Sequence, residues 1–212
     1  MAYRRTAAVQ ERLDAARSGI VAAALTLVAE QGYAGCAMAD VAARAGIGVG
    51  TVYRYFPSKG ELFAEVFRDA CGREVAAATA AGTHAARTGS TIDSILASVR
   101  TFAERALRNP TLAYALLAEP IDALVDTERL AFRVAFAEAF ASFIRAGVQA
   151  GELPDQDASI TASCLVGAIG EALVLPLARG HADASTLDAL DTFTLRALGA
   201  SPASLSPVRK SS

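Results

Sequence analysis

The sequence predicts an all-α protein of about nine helices. Three observations predict it. Apolar residues recur at helical spacing through almost every segment of the 212-residue chain, and strict strand alternation is scarce. Gly and Pro fall between the periodic runs, at Gly32, Gly46, Pro57, Pro110, Pro120, Gly151 and Pro154. Residues 37–62, AMADVAARAGIGVGTVYRYFPSKGEL, hold two short helices, a Gly-centred turn and the start of a third helix, the pattern of a helix-turn-helix.

The first helix is expected over about residues 11–31, with Ile20, Leu25, Leu27 and Val28 inward and Gly32 as its C-cap. In the second, Met38, Val41 and Ala42 share a buried face, and Ala45-Gly46 stops it where a positive φ is needed. The third carries Val52, Tyr53 and Phe56 near its end and is broken by Pro57-Ser58. Ser58 can N-cap the fourth, with Glu61 completing a capping box. That helix presents Leu62, Phe63, Val66 and Phe67 and fades in the Ala-rich stretch before Gly82. Residues 82–90, GTHAARTGS, read as a linker, and His84 and His181 fall in segments that read as loops. A fifth helix over 91–108 repeats Ile95, Val99, Phe102, Ala106 and Leu107. Pro110 suits N1 of a short sixth helix, 111–118, which Glu119-Pro120 ends. A long seventh, 122–150, aligns Leu130, Val134, Ala137, Ala141 and Ile144 on one stripe. Two more, about 157–179 and 184–198, close the fold, and the Pro/Ser-rich tail 201–212 is expected to be disordered.

Hydrophobic residues make up 53% of the chain, much of it Ala, and no run is read as reaching the roughly 18 apolar residues of a membrane span. The richest stretches, 20–29 and 165–178, are interrupted by Thr26 and by Glu171 and Pro176. The N-terminus, MAYRRTAAVQER, lacks the apolar core of a secretory signal, so the expectation is a soluble intracellular protein without a membrane partner. Cys36, Cys71 and Cys164 are odd in number and show no CxxC spacing. They read as small buried hydrophobes, with a redox switch as the alternative, and no metal site is expected. The net charge of −2 hides an asymmetry: residues 1–60 carry +3 and the remainder −5. A basic front on an acidic body suits contact with phosphate at one end.

Ala29-Glu30-Gln31-Gly32-Tyr33, Asp40-Val41-Ala42, Ala45-Gly46-Ile47, Thr51-Val52-Tyr53-Arg54-Tyr55-Phe56, Ser58-Lys59 and Leu62 together resemble the tetracycline-repressor (TetR) family of bacterial transcription regulators. The likeness covers about residues 10–65; the remainder matches in plan only. It implies a DNA-binding domain at 1–57 joined through the fourth helix to a ligand-binding and dimerisation domain at 58–200. It places the third helix in the major groove, with Gly48, Val49, Gly50, Thr51, Tyr53, Arg54 and Tyr55 near DNA. Tyr53 and Tyr55 would donate to phosphates; Tyr53 also reads as an aromatic plug between the first and third helices. Lys59 and the free N–H groups of the fourth helix can meet a phosphate together. Ala37 and Gly48 depart from the hydroxyl residues usual in the family. Val49 and Gly50 offer no bidentate hydrogen bond to a base, which shifts sequence reading to Arg54, Arg44 and the arm residues Arg4 and Arg5. Gly48 and Gly50 either let the backbone approach DNA closely or loosen a short helix, at about 0.5–1 kcal/mol each.

One such module makes few base contacts, so two are expected across a two-fold axis on a palindromic or pseudo-palindromic operator. The last two long helices are the expected homodimer surface, since Ala162, Ser163, Gly167, Ala168 and Gly170 permit close approach. The alternative is that this helix is the buried centre of its own domain. Phe102, Tyr114, Leu117, Phe132, Phe136 and Phe140 are candidate walls of a ligand pocket, although such a stripe also reads as core. Arg105, Glu138 and Glu171 are polar candidates beside it. The expectation is a cytoplasmic bacterial repressor, without cofactor, that a small and largely apolar molecule releases from DNA by moving the fourth helix. A ligand-independent or partner-controlled regulator is the alternative, and activation remains open. A small helical enzyme is the distant one: the chain has no G-x-S-x-G, P-loop or H-E-x-x-H, and GIGVGT puts Thr51 where a dinucleotide fingerprint needs Gly.

Overall fold

Five glycines adopt positive φ, and each stands at or just past the end of a helix. At Gly46 (φ 67°) the requirement is explicit. Its N–H donates to the Ala43 carbonyl at 3.2 Å, and the next N–H, of Ile47, reaches back to Ala42 at 3.0 Å. This paired closure needs a left-handed residue between the two donors. The computed structural model describes residues 7–180 and 184–200, and among them there are nine α-helices and no strand. They are α1 (Ala7–Gln31), α2 (Met38–Ala45), α3 (Val49–Tyr55), α4 (Lys59–Ala85), α5 (Thr91–Arg108), α6 (Pro110–Leu117), α7 (Ala123–Gln149), α8 (Ala158–Arg179) and α9 (Ala184–Ala197).

Short polar side chains start these helices by accepting first-turn N–H groups. Ser58 accepts from Glu61, Asn109 from Leu112, Asp122 from Leu124 and Val125, and Asp157 from Ser159 and Ile160. Ser90 and Asp93 form a reciprocal capping box at α5. At α2 half a box survives: Asp40 accepts the Ala37 N–H at 3.1 Å, and with no side-chain oxygen at Ala37 the Asp40 N–H goes to the Ala37 carbonyl instead, at 3.1 Å.

The helix α4 ties the front of the chain to the back. It packs on α1 near its start and on α5 and α7 beyond. Leu62, Phe63, Val66 and Phe67 are fully buried. The buried apolar residues form one continuous cluster from Ile20 in α1 to Leu198 after α9.

Several expectations change. The first helix begins at Ala7, not near residue 11. Instead of fading before Gly82, α4 runs to Ala85, which puts His84 in its last turn and shortens the linker to residues 86–90. Gly82 is a packing residue: a Cβ there would lie 2.3 Å from Ser98 Oγ and 2.8 Å from the Phe143 ring. On α7 the expected stripe splits. Leu130 and Val134 are 64% and 50% exposed, whereas Phe132, Phe136, Phe140 and Ile144 are buried. Residues two apart lie about 200° round a helix, so the phenylalanines occupy the opposite face. Cys36 and Cys71 are buried, but Cys164 is exposed. By length and composition α8 is apolar enough to cross a membrane, contrary to the sequence expectation, because its Ile, Leu, Val, Cys and Ala outweigh the interruptions at Glu171 and Pro176. It packs against α6 and α7 through Leu165, Ile169 and Leu173. Arg4, Arg5, His181 and the tail 201–212 lie outside the described residues.

Candidate nucleic-acid interface

The helix α3 is held from beneath and left bare above. Val52 and Phe56 anchor α3 in the core. Val49 is 41% and Tyr53 47% exposed, and Arg54 is exposed, with its guanidinium 5.6 Å from the Tyr55 ring centroid. Thr51 and Tyr55 are half-buried. Tyr53 therefore faces solvent, and the reading of it as a plug between α1 and α3 is corrected. The aromatic plug is Tyr33, edge-on to Phe63 and Phe67 with centroids 5.1 and 6.4 Å away. A Cβ built on Gly48 or Gly50 would meet nothing within 4 Å, so neither glycine is demanded by packing.

The cations around α3 are held in place. Arg44 is exposed and forms two bonds to the Glu30 carboxylate, at 2.8 and 2.5 Å, which lower the Glu30 pKa below its ordinary range. Lys59 is half-buried; its ammonium donates to the Tyr33 carbonyl at 3.1 Å and sits 4.3 Å from the Tyr33 ring centroid. Arg17, which pattern reading passed over, is the tie for the end of α3. It pairs with Glu65 on α4, donates to the Tyr55 carbonyl at 3.2 Å and stacks 4.2 Å from the Phe56 ring centroid. The available signal was its place three residues before Ile20, on the buried side of α1.

The expected pocket residues come only partly together. Phe102, Phe132, Phe136 and Phe140 form a stack, with Phe102–Phe136 at 5.0 Å and Phe132–Phe136 at 4.9 Å, both edge-on. Around them lie two cavities of about 30 Å³ each. Phe102, Leu117 and Phe132 line both, and Arg105 borders one, bonded to Glu74 at 2.6 and 2.8 Å. Tyr114 and Glu171 line neither: Tyr114 is half-buried on α6, and Glu171 is exposed on α8. Glu138 is likewise exposed, in a groove between α7 and α8. An open groove of about 820 Å³ lies between α4 and α7. Cys71, Val75, Ala135 and Phe132 lie along it. Phe132 thus stands between the groove and both inner cavities.

Residues 20–66 match the family model for bacterial regulatory proteins of the tetR family. No curated protein matches the chain. Solved structures share its fold. The regulator FadR from Bacillus subtilis, in complex with stearoyl-CoA, aligns at TM-score 0.70 and 18% identity over 85% of this chain and 96% of that one. RolR in complex with resorcinol aligns at 0.70 and 20% over 92% of each. A tetR-family regulatory protein from Rhodococcus RHA1 aligns at 0.65 and 21% over 88% and 98%.

Proposed function

We propose that this chain is a tetR-family regulator, a cytoplasmic repressor working as a homodimer on a palindromic operator, a reading that the family match over residues 20–66 supports. The observation that carries this reading is the outward face of α3, where Val49, Tyr53 and Arg54 stand clear on a helix whose underside is locked by Val52, Phe56 and Arg17. Residues 1–57 act as the DNA-reading domain and 58–200 as the body. Arg44, Gly48, Val49, Gly50, Thr51, Tyr53, Arg54, Tyr55 and Lys59 form the contact set. Thr51, Tyr55 and Lys59 serve phosphates, and Arg54 serves a base edge. The exposed side of α8 and α9, with Ile160, Leu175 and Phe193, joins the two copies.

A small, largely apolar effector enters from the α4–α7 groove past Phe132 and lodges among Phe102, Leu117, Phe136 and Phe140. Ligand-bearing relatives of the same fold, with stearoyl-CoA and with resorcinol, support an effector in this body. Binding that favours one spacing of the two modules must weaken DNA binding by the same factor that DNA weakens effector binding. A second reading, control by a partner protein or by none, draws on the small size of the inner cavities, each with room for about one water. Titrating a duplex selected by the protein from a random pool with a panel of apolar molecules separates them. The first reading predicts that compounds which raise the melting temperature also release the duplex. Compounds that bind and leave duplex affinity unchanged would refute the coupling.

A further inference from the structure

Tyr33 stands in the turn between α1 and α2, and its polar groups are answered by the corner between α6 and α7. The backbone N–H groups of Tyr33 and Ala34 each donate to the Glu119 carboxylate at 2.8 Å. The Tyr33 hydroxyl donates to Asp122 Oδ2 at 2.6 Å, while the other Asp122 oxygen caps α7 through Leu124 and Val125. The contact is tight on both sides. A Cβ on Gly32 would stand 3.0 Å from Glu119 Oε2, and one on Gly60 3.0 Å from Asp122 Oδ1. The corner is braced in turn. The Arg129 guanidinium donates to the carbonyls of Ala115, Leu116 and Glu119 at 3.0, 3.0 and 2.8 Å. Burial holds the Arg129 pKa below the usual guanidinium range. These bonds satisfy carbonyls at the end of α6, the helix whose Leu112, Leu116 and Leu117 border the inner cavities.

The geometry points to Glu119 and Asp122 as positioning residues of the DNA-reading module. Their carboxylates fix the α1–α2 turn on the body, and the same turn holds Lys59 through the Tyr33 carbonyl. Hydrogen bonds to a charged acceptor are short, strong and directional, unlike apolar packing, which tolerates sliding. A displacement of α6 must carry the turn with it or break three bonds. The inference rests on the two-copy reading above and adds what sets the separation of the two α3 helices.

The test compares Glu119→Ala, Glu119→Gln and Tyr33→Phe on two probes: a palindromic duplex selected by the wild type, and the same duplex with one half-site scrambled. A group that positions two modules matters only when both must dock. Glu119→Ala should lose about tenfold in affinity for the palindrome and keep its affinity for the single half-site. Glu119→Gln, which retains one acceptor, should recover part of the loss. Tyr33→Phe removes one oxygen and keeps the ring, so it should lose palindrome affinity in the same direction; it decides the matter if Glu119→Ala fails to fold. Equal losses on both probes, or none on either, overturn the positioning role. If the wild type selects no duplex at all, the DNA-binding reading itself falls.

Discussion

Lys59 opens α4 with its ammonium against the Tyr33 carbonyl and above the Tyr33 ring. In the proposed contact set a point charge there serves every duplex alike. Lys59→Ala should weaken binding to all sequences and lower the slope of log affinity against log salt by about one. Arg54→Ala should instead change which sequences are preferred, read by repeating the selection; uniform loss in both variants would mean that Arg54 reads backbone only. Gly50 occupies open space on the exposed turn of α3. Gly50→Ala should raise unfolding stability by about 0.5–1 kcal/mol in urea melts while weakening duplex binding, if bare backbone is what approaches DNA. A variant both more stable and fully active would remove that role. Buried thiols add a pH signature. Burial, reinforced by Glu74, pushes the Cys71 thiol up to about 12 from 9. The unfolded chain therefore loses that proton first, and the stabilisation is present below about pH 9 and declines as pH rises toward 12. The Tyr33 hydroxyl, raised by burial and by Asp122, acts in the same sense at higher pH. The urea midpoint should fall above about pH 9, and less steeply in Cys71→Ala.

At the scale of elements, α4 is the part whose packing is least forgiving. Gly82 faces Ser98 and Phe143, where even one methyl collides. Gly82→Ala should cost about 1–3 kcal/mol by denaturant unfolding, despite its better helix propensity; a stabilised variant would mean that α4 does not lie against α5 and α7 as described. The same glycine shows where sequence reading stops. Ser58, Asn109-Pro110, Asp157 and Gly46 mark their helix ends through local chemistry, and those ends were legible. Gly82 reads locally as a breaker because the close neighbour that requires it lies sixteen residues away at Ser98 and beyond. On α7, apolar residues stand on both faces, so helical period alone cannot choose between Leu130 with Val134 and Phe132 with Phe136. Spacing also places Tyr114 on the correct helix without fixing its depth or what it lines. The Tyr33–Glu119 bond joins residues 86 apart in sequence, with nothing local to announce it.

At the scale of the whole molecule, the large exposed apolar residues fall on α1 (Val9), on α7 (Leu124, Leu130 and Val134), and on α3, α8 and α9. Val49 and Tyr53 sit at the front on α3, while Ile160, Leu175 and Phe193 sit on α8 and α9. An α8 rich in small residues, apolar enough for a membrane yet carrying Glu171 on an exposed position, suits a protein–protein face better than lipid. Leu175→Arg should turn a sedimenting dimer into a monomer and abolish tight binding to the palindrome, with the helical content unchanged. A variant that remains dimeric would move the interface elsewhere. The most direct measurement is a hydroxyl-radical footprint of the protein on its selected duplex at low ionic strength. Two protected patches on one face of the DNA, centred one helical turn of about 34–36 Å or a multiple apart, are predicted. No protection, or a single patch bound by one chain, would contradict the account.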